Sequence, residues 1–277
     1  GDKQSYIPET RAIPNFERCP LRRILLLGCN HRVPALLSQF DSYSAESFNI
    51  DILSRISVKD REELFDEHNF TPARIQLSHF EGDYVVPSDL SRLDLASYDN
   101  IVFIANDRFE TEEETDARTI LGYLLLVEML ESIGASPAVL VELMDSENET
   151  LFTERKGEIV VTPLILSHIM SQVALRPELF AVFEDLLGPT GPEIAFESAA
   201  VYGLAGQKKS FQEIKDAVAR QGEVALGVRL AEHRREPNEG VLLNPLGEEK
   251  WALSEKDQIV VLLTNVYDAA ESLERPS

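Results

Sequence analysis

The chain has 277 residues, enough for one large or two medium domains, and its 44% hydrophobic and 27% charged residues are ordinary for a globular protein. Its formal net charge of −22 argues against nucleic acid and against an anionic membrane surface as partners, because both would repel it. The acidity fits either solubility alone or a cytosolic protein that collects cations. No apolar run approaches the roughly 20 residues that a membrane span requires, and the start lacks a signal-peptide pattern.

The cysteine and histidine residues carry little functional signal. Cys19 and Cys29 indicate neither a disulfide framework nor a zinc site, and we expect Cys29 to be a small packed residue. The five histidines never fall at a metal-ligand spacing such as i, i+4. We expect His79, in a predicted strand, and His168, on a largely apolar helix, to be packed residues rather than ligands.

The first predicted element is a strand over residues 21–28, after an extended, proline-containing linker over residues 1–20. It is an apolar run that ends at Gly28, and a short polar turn leads from it into a helix with Pro34 in its first turn. A strand buried on both faces has such a continuous apolar run, as in a parallel sheet. We therefore predict that it is the central strand of a doubly wound domain.

Strands and helices then alternate as far as residue 144. The predicted helices are 34–43, 58–67, 87–95 and 112–133, and the further predicted strands are 48–56, 74–80, 100–105 and 138–144. The longest helix is too apolar for a solvent-exposed one, so it must pack on the sheet or on a partner. Alternation of this kind is typical of an α/β fold, and it predicts a five-stranded, Rossmann-like lobe with a doubly wound parallel sheet over residues 21–146.

The pattern changes beyond residue 146. We predict a connecting segment over 147–188, with helices at 163–175 and 177–187 joined at Arg176 and Pro177. A stretch rich in glycine and proline, 188–192, marks a boundary. A small α+β lobe over 189–268 and a tail over 269–277 follow. The lobe's predicted elements are 193–200, a helix at 210–220, and strands at 224–231, 240–243 and 258–264.

The turn after the first strand lies where doubly wound folds bind ligands. A dinucleotide fingerprint requires three glycines there, but only Gly28 is present, because Asn30 and a valine occupy the other two positions. Asp51 lies inside the second strand, so it does not match the acidic residue that would hold a ribose. The sequence therefore argues against NAD. His31 and Arg32 either hold an anion at the helix start or are exposed turn residues.

No catalytic constellation appears, since both a nucleophile elbow and a P-loop are missing from the sequence. We therefore expect that the chain is not an enzyme. Candidate ligand-binding residues lie in the turns after the first and fourth strands. They are Gly28, Asn30, His31, Arg32, Asn106 and Asp107.

Acidic residues gather after the third, fourth and fifth predicted strands, and these strand ends share one edge of a doubly wound sheet. Ca²⁺ prefers six to eight oxygen ligands, which carboxylates on separate loops could supply. The overall acidity of the chain explains the same pattern without a metal. The candidate metal ligands are Glu81, Asp83, Asp107 and Glu110, and Asp145 and Glu147 follow the fifth strand.

Eight short stretches carry a family resemblance through their order and spacing. They are residues 23–28, 97–105, 116–121, 165–167, 225–229, 243–245, 251–253 and 257–262. Together they span residues 20–265 and resemble the RCK (regulator of K⁺ conductance) domains of ion channels and transporters. The resemblance is closest to the Castor/Pollux family of cation channels.

The resemblance implies a cytoplasmic, ligand-sensing gating-ring domain of a K⁺ or Ca²⁺ channel. In that family a transmembrane pore is followed by two RCK domains per subunit, and four subunits build a ring. This chain resembles the second RCK domain, separated from its pore. The implied partners are the pore, the first RCK domain and further copies of the chain. Family members are linked to Ca²⁺, so the resemblance agrees with a Ca²⁺ site at the acidic strand ends.

The predicted helix pair resembles the crossover through which RCK domains pair. It offers more apolar surface than one sheet edge can hide, and we predict that this surface is a homodimer interface. The predicted interface residues are Leu164, Ile165, Ile169, Val173, Phe180, Phe183 and Leu186. Two other functions remain open: a free-standing Rossmann-like nucleotide sensor or weak NAD-dependent oxidoreductase, and a structural RCK domain that binds no ligand.

Overall fold

The computed structural model describes residues 21–43, 47–106, 111–152, 158–188, 191–234, 236, 238–245 and 249–263. The predicted linker and tail lie outside these residues. The described chain divides into two compact units between Ala181 and Val182. The predicted division into 21–146, 147–188 and 189–268 stays a prediction.

The first unit contains a six-stranded parallel sheet with the strand order β3-β2-β1-β4-β5-β6. Its strands are β1 (Leu21–Leu27), β2 (Ser47–Ser54), β3 (Gln76–Glu81), β4 (Asn100–Phe103), β5 (Ala138–Leu143) and β6 (Glu158–Val161). Its helices are α1 (Val33–Ser42), α2 (Val58–Glu67), α3 (Pro87–Leu90), α4 (Glu112–Ile133) and α5 (Thr162–Leu175). The Rossmann-like α/β fold with a central β1 is thus confirmed.

Two details of the predicted lobe are wrong. The sheet has a sixth strand, because β6 pairs in parallel with β5 from Leu140↔Glu158 to Leu143↔Val161. The predicted helix over 87–95 is a single turn, α3, and a separate 3₁₀ turn follows at Leu95–Ser97. Both elements are too short for hydrophobic periodicity to define their ends.

Residues of β1 are buried on both faces of the sheet, so the sheet lies between two parts of the core. Leu25 and Leu27 pack in a cluster with residues of α4, whereas Ile24 and Leu26 pack with residues of α1 and α2 on the opposite face. Side chains alternate between the two faces of a strand, so the apolar run from Ile24 to Leu27 requires cover on both faces. All four side chains are at most 2% exposed.

The long helix α4 has clear signals at both ends. Thr111 caps it by accepting a hydrogen bond from the N–H of Glu114 at 3.1 Å, and Gly134 ends it with a left-handed φ of 68°. Its buried residues follow helical spacing, including Tyr123, Leu126 and Leu130. The helix therefore packs on the sheet, which is one of the two predicted alternatives, the other being a partner.

The second unit contains a four-stranded antiparallel sheet of order β10-β9-β12-β7 and a two-stranded sheet, β11-β8. A helix, α6 (Leu179–Leu187), spans the boundary between the units. The strands are β7 (Glu193–Ser198), β8 (Lys208–Ser210), β9 (Val224–Arg229), β10 (Val241–Leu243), β11 (Lys250–Ala252) and β12 (Gln258–Leu263), and the helix is α7 (Phe211–Ala219). A core that includes Phe211, Ile214 and Val218 of α7 joins this helix to the larger sheet.

Within the described ranges, no helix combines the length and the apolar character needed to cross a membrane.

Candidate functional site

The turn after β1 approaches the end of β4 closely. Gly28 has a φ of +111°, and a Cβ atom placed on it would lie 2.6 Å from the carbonyl oxygen of Ile104. Its N–H donates to the carbonyl of Leu53 at 2.9 Å, so the turn also joins β2. Gly28 is therefore required by backbone conformation and by the neighbouring strand, whether or not a ligand binds.

Asn30 occupies the second position of the dinucleotide fingerprint and is 2% exposed. Its side-chain amide donates to the carbonyl of Ala105 at 2.7 Å, and its side-chain oxygen accepts from the N–H of Arg32 at 2.9 Å. The side chain thus fills space that a glycine leaves open for a pyrophosphate in dinucleotide-binding domains. It also holds the turns after β1 and β4 together.

The Arg32 guanidinium is paired with a carboxylate of the protein. Its Nη1 lies 2.6 Å from Oε1 of Glu142 on β5. The Glu142 side chain is only 12% exposed. Its Oε2 accepts from the N–H of Ala105 at 2.8 Å and its Oε1 accepts from the hydroxyl of Thr162 at 2.5 Å. Glu142 therefore joins the turn after β1, the end of β4 and the first residue of α5.

Five of the six predicted ligand-binding residues lie at this edge of the sheet. Gly28, Asn30 and Arg32 make the contacts above, and the carbonyl of Asn106 accepts from the hydroxyl of Thr115 at 3.1 Å. His31 is exposed in the same turn. Asp107 lies outside the described residues. Ligand binding by this set stays a prediction.

Sequence reasoning missed two carboxylates that organise the edge, Glu142 and Asp116. Asp116 on α4 is fully buried and accepts from the N–H groups of Met144 and Asp145 at 2.8 and 3.0 Å and from the side-chain amide of Asn148 at 2.8 Å. For Glu142 the available signal was an acidic residue inside an otherwise apolar strand, because buried carboxylates are held by donors. Asp116 follows three glutamates in the first turn of α4, so its neighbours gave no such signal.

The acidic strand ends contact protein donors. Oε1 of Glu81 accepts from the N–H of Val58 at 2.7 Å, at the start of α2. Asp83 forms an ion pair with Arg118 of α4, and the Nε of Arg55 lies 3.7 Å from the same oxygen. The carboxylate of Asp145 accepts from the N–H of Glu147 at 2.9 Å.

No three histidine, cysteine, aspartate or glutamate residues of the described ranges are placed so as to hold a metal ion. The predicted ligands Asp107 and Glu110 lie outside those ranges. A Ca²⁺ site that includes them stays a prediction.

The expectations for the single cysteine and histidine residues have different outcomes. Cys29 is 1% exposed and packed in the core, as predicted. His79 is partly buried and lies against Arg61. The expectation for His168 is wrong, because this residue is exposed on α5. An apolar helix need not bury its histidine when the whole helix lacks cover.

The helices α5 and α6 contain no buried residue, although most of their side chains are apolar. Of the predicted interface residues, Leu164, Ile165 and Phe180 are 41–54% exposed. The other four are partly buried: Ile169, Val173, Phe183 and Leu186. Leu175 and Val182, which belong to the same predicted apolar surface, are also exposed, and so are three residues that were not predicted: Leu166, Met170 and Leu187. Contiguous exposed apolar patches are typical of interaction sites, so the homodimer interface at these helices stays a prediction.

The second unit contains a cavity of about 810 Å³ beside β11, and its lining includes Ala231, His233, Glu236 and Gly240. Both ring nitrogens of His233 face carboxylates, Nδ1 at 2.6 Å from Glu236 and Nε2 at 3.3 Å from Glu232. The hydrogen bond with Glu236 raises the pKa of His233 above 6.5. Lys250 lies 3.5 Å from Glu213. These charged groups of the lining thus pair with protein groups.

The fold matches that of a channel gating ring. The human SLO3 gating ring superimposes with a TM-score of 0.60 at 13% identity, covering 90% of this chain and 46% of that one. No protein-family model matches the sequence.

In sequence, the chain is homologous to plant ion channels. It is 22% identical over 275 residues to the ion channel CASTOR of Lotus japonicus, covering 87% of this chain and 31% of the relative. It is 25% identical over 311 residues to the probable ion channel POLLUX of Oryza sativa subsp. japonica, covering 97% of this chain and 31% of the relative. The resemblance to the Castor/Pollux channels is thus confirmed, and the chain spans about a third of the length of these relatives.

Proposed function

We propose that this chain is a cytoplasmic regulatory domain of a cation channel, which assembles into a gating ring and acts by changing subunit contacts rather than by catalysis. The observation that carries the proposal is the uncovered helix pair α5–α6 on a gating-ring fold. Homology to CASTOR and POLLUX, named as ion channels, supports it. In a free-standing protein, two apolar helices exposed to water would be unfavourable, because burial of apolar surface stabilises the folded state.

The proposed partner at α5–α6 is a second copy of the chain. A stable interface needs an apolar centre with a polar rim. The predicted interface residues Ile165 and Phe180 are exposed and can contribute to such a centre, and the charged Glu178 lies beside Phe180 in sequence. Because isologous contacts bury the same patch twice, one helix pair per chain is enough.

The contacts of Glu142 provide a route from the strand ends to this interface. The carboxylate contacts Arg32 in the turn after β1 and also contacts Thr162, the first residue of α5. A ligand that displaces Arg32 or the end of β4 would change the hydrogen bonds that fix the start of α5. Ligand binding shifts a conformational equilibrium only when the two states differ in affinity, and a shared carboxylate supplies such a difference.

The finer assignments are part of the same proposal. We propose that the domain is the second of two RCK domains in its subunit, after a transmembrane pore, and that its ligand is a cation such as Ca²⁺. The upstream reading frame tests the first point. An apolar pore region encoded ahead of residue 1 supports it, whereas a complete gene that begins near Gly1 without a membrane-crossing segment contradicts it.

A thermal-shift experiment separates the three functions. The full chain is heated with Ca²⁺, with NAD⁺, with ATP and with buffer alone. A ligand at 100-fold excess over its Kd stabilises the native state by about 2.7 kcal/mol, which is readily measured. A shift with Ca²⁺ alone supports the ligand-sensing domain. A shift with NAD⁺ or ATP alone favours a nucleotide-binding protein, and no shift favours a structural ring domain.

The filled fingerprint position argues against the nucleotide reading. Asn30 is held by both Ala105 and Arg32, and the Arg32 cation is paired with Glu142. A pyrophosphate would have to displace both contacts. The alternative of a weak oxidoreductase therefore rests on the fold alone, and a fold does not by itself define an activity.

A further inference from the structure

The strand β7 forms one edge of the larger sheet of the second unit. The strand order β10-β9-β12-β7 places it outermost, and no strand of the described residues pairs with its other side. The N–H of Ala199 donates to the carbonyl of Asp257 at 3.0 Å, and the register continues this bonding pattern along the odd-numbered residues of β7. The N–H and C=O groups of Ile194 and Phe196 therefore point away from β12.

The side chains of these two residues are exposed and apolar. Ile194 is 44% exposed and Phe196 is 45% exposed. Ala195 packs against the core that includes α7, so its two neighbours lie on the opposite face of the sheet. The guanidinium carbon of Arg229 lies 5.1 Å from the centroid of the Phe196 ring, which favours one position of that ring. The strand contains neither the proline nor the lysine that often protects an edge strand.

The sequence of β7 favours one register for pairing with a second copy of itself. In the antiparallel register centred on Phe196, the two Phe196 rings are neighbours and Glu197 lies opposite Ala195. In the register centred on Ala195, Glu193 lies opposite Glu197 instead, and like charges directly opposite each other are destabilising. The first register avoids this repulsion and brings the exposed apolar side chains together.

The strand also follows the proposed helix-pair interface directly. Residues 182–187 of α6 and the whole of β7 belong to the same compact unit. A Cβ atom placed on Gly191 would clash with the carbonyl of Asp185, so the chain lies against the end of α6 just before β7 begins. Two copies that meet through α6 therefore have their β7 edges close to that contact and related by the same two-fold axis.

We propose that β7 pairs antiparallel with β7 of a second copy, in the register centred on Phe196, and joins two four-stranded sheets into one continuous sheet. The outward N–H and C=O groups of Ile194 and Phe196 supply the backbone hydrogen bonds. The inference rests on the proposed function, because a pair of short strands is only marginally stable in water. The helix-pair contact raises the effective concentration of one edge for the other.

Interchain disulfides test the register. Every variant carries Cys19→Ser, which leaves the buried Cys29 as the other cysteine. Phe196→Cys places two thiols on opposed residues with Cα atoms about 5.5 Å apart, within the range of a disulfide, and we expect most of the chain to form a covalent dimer under mild oxidation.

The matched control is Ile194→Cys, at a residue of nearly equal exposure on the same face. The proposed register offsets its two copies by about 13 Å along the strand, which is too far for a disulfide, so we expect no covalent dimer. The double variant Ile194→Cys with Ser198→Cys restores opposed thiols and should form one. Equal yields from Phe196→Cys and Ile194→Cys, or no covalent dimer from Phe196→Cys, would overturn the pairing.

Hydrogen exchange supplies a test within one strand that needs no change to β7. In the assembled, unaltered chain we expect the N–H groups of Ile194 and Phe196 to exchange more slowly than in Phe183→Asp, by about tenfold or more. The N–H groups of Ala195 and Glu197 face β12 and should stay protected in both proteins. Equal exchange at Ile194 and Phe196 in the two proteins would overturn the pairing.

Sedimentation of the same samples distinguishes this inference from the proposed function. A dimer that Phe183→Asp dissociates, together with no disulfide at Phe196→Cys, leaves the helix-pair interface standing and overturns the pairing of β7 alone. A chain that stays monomeric at every concentration contradicts the helix-pair interface and the pairing with it.

Discussion

Arg32 Nη1 lies 2.6 Å from Oε1 of Glu142, so the cation at the start of α1 is paired within the protein. The same oxygen accepts from the hydroxyl of Thr162 at 2.5 Å, and the other carboxylate oxygen accepts from the N–H of Ala105 at 2.8 Å. One side chain of β5 thus unites three segments that are far apart in the chain. This arrangement links the predicted ligand-binding edge to the helix pair.

Substitution of Glu142 should destabilise the first unit. Glu142→Ala leaves the N–H of Ala105 and the hydroxyl of Thr162 without their acceptor, and we expect a loss of about 2 kcal/mol in the free energy of unfolding. Glu142→Gln retains an acceptor and should lose less. Urea denaturation provides the measurement, with Glu128→Ala on the exposed side of α4 as the control. A loss no greater than that of the control would contradict the role of Glu142.

Gly28→Ala should destabilise the chain more than alanine at another left-handed glycine. The φ of +111° and the carbonyl of Ile104 at 2.6 Å from the added Cβ both oppose alanine, and we expect a cost of about 3 kcal/mol. Gly134 also has a positive φ, but nothing lies within 4 Å of its added Cβ, so Gly134→Ala should cost about 1 kcal/mol. Equal losses in thermal unfolding would show that the close approach to Ile104 is unimportant.

Asp116 should be essential for the segment after β5. Asp116→Ala removes the acceptor of three donors, on Met144, Asp145 and Asn148, and we expect a loss of about 3 kcal/mol. The specific signature is faster hydrogen exchange at the N–H groups of Met144 and Asp145. If exchange at both positions stays slow in Asp116→Ala, the hydrogen bonds from these N–H groups to Asp116 are contradicted.

Asp257 should make the second unit sensitive to acid. Burial alone would raise the pKa of Asp257, but the N–H groups of Ala231 and Ser254 and the Ser254 hydroxyl outweigh it and hold the pKa below 3.8. Because the pKa is lower in the folded state, this stabilisation is complete above 3.8 and is lost as the pH falls through the folded pKa.

The measurement for Asp257 is the unfolding free energy between pH 6 and pH 2. The unaltered chain should lose stability below pH 3.8, and Asp257→Asn should start lower and depend less on pH in that range. If the unfolding free energy fell equally with pH in both proteins, the lowered pKa of Asp257 would be contradicted.

Local sequence patterns were sufficient for most of the fold. The apolar run of β1 predicted a strand covered on both faces, and the capping residue Thr111 and the terminal Gly134 agree with the predicted ends of α4. The strands β6, β8 and β11 were missed or left unassigned because three or four residues carry no clear alternation.

The candidate site was only partly predictable. A strand, a turn and a helix in succession located Gly28, Asn30 and Arg32, since doubly wound folds place their sites after such a strand. The partners Glu142 and Asp116 were not predicted, because pairing between distant segments leaves no periodic signal in the sequence. The exposed character of His168 was missed for a related reason: composition shows that α5 is apolar but not whether another surface covers it.

Sedimentation velocity of the full chain tests the central claim most directly. We expect the unaltered chain to sediment as a dimer or larger assembly at high concentration, Phe183→Asp and Leu186→Asp to sediment as monomers, and Leu151→Asp, a change at a 61% exposed leucine outside α5–α6, to behave like the unaltered chain. A charge within an apolar interface is strongly disfavoured, which sets the direction of the effect. A chain that stays monomeric at high concentration, or assemblies that are unaffected by Phe183→Asp and Leu186→Asp, would contradict assembly through the helix pair.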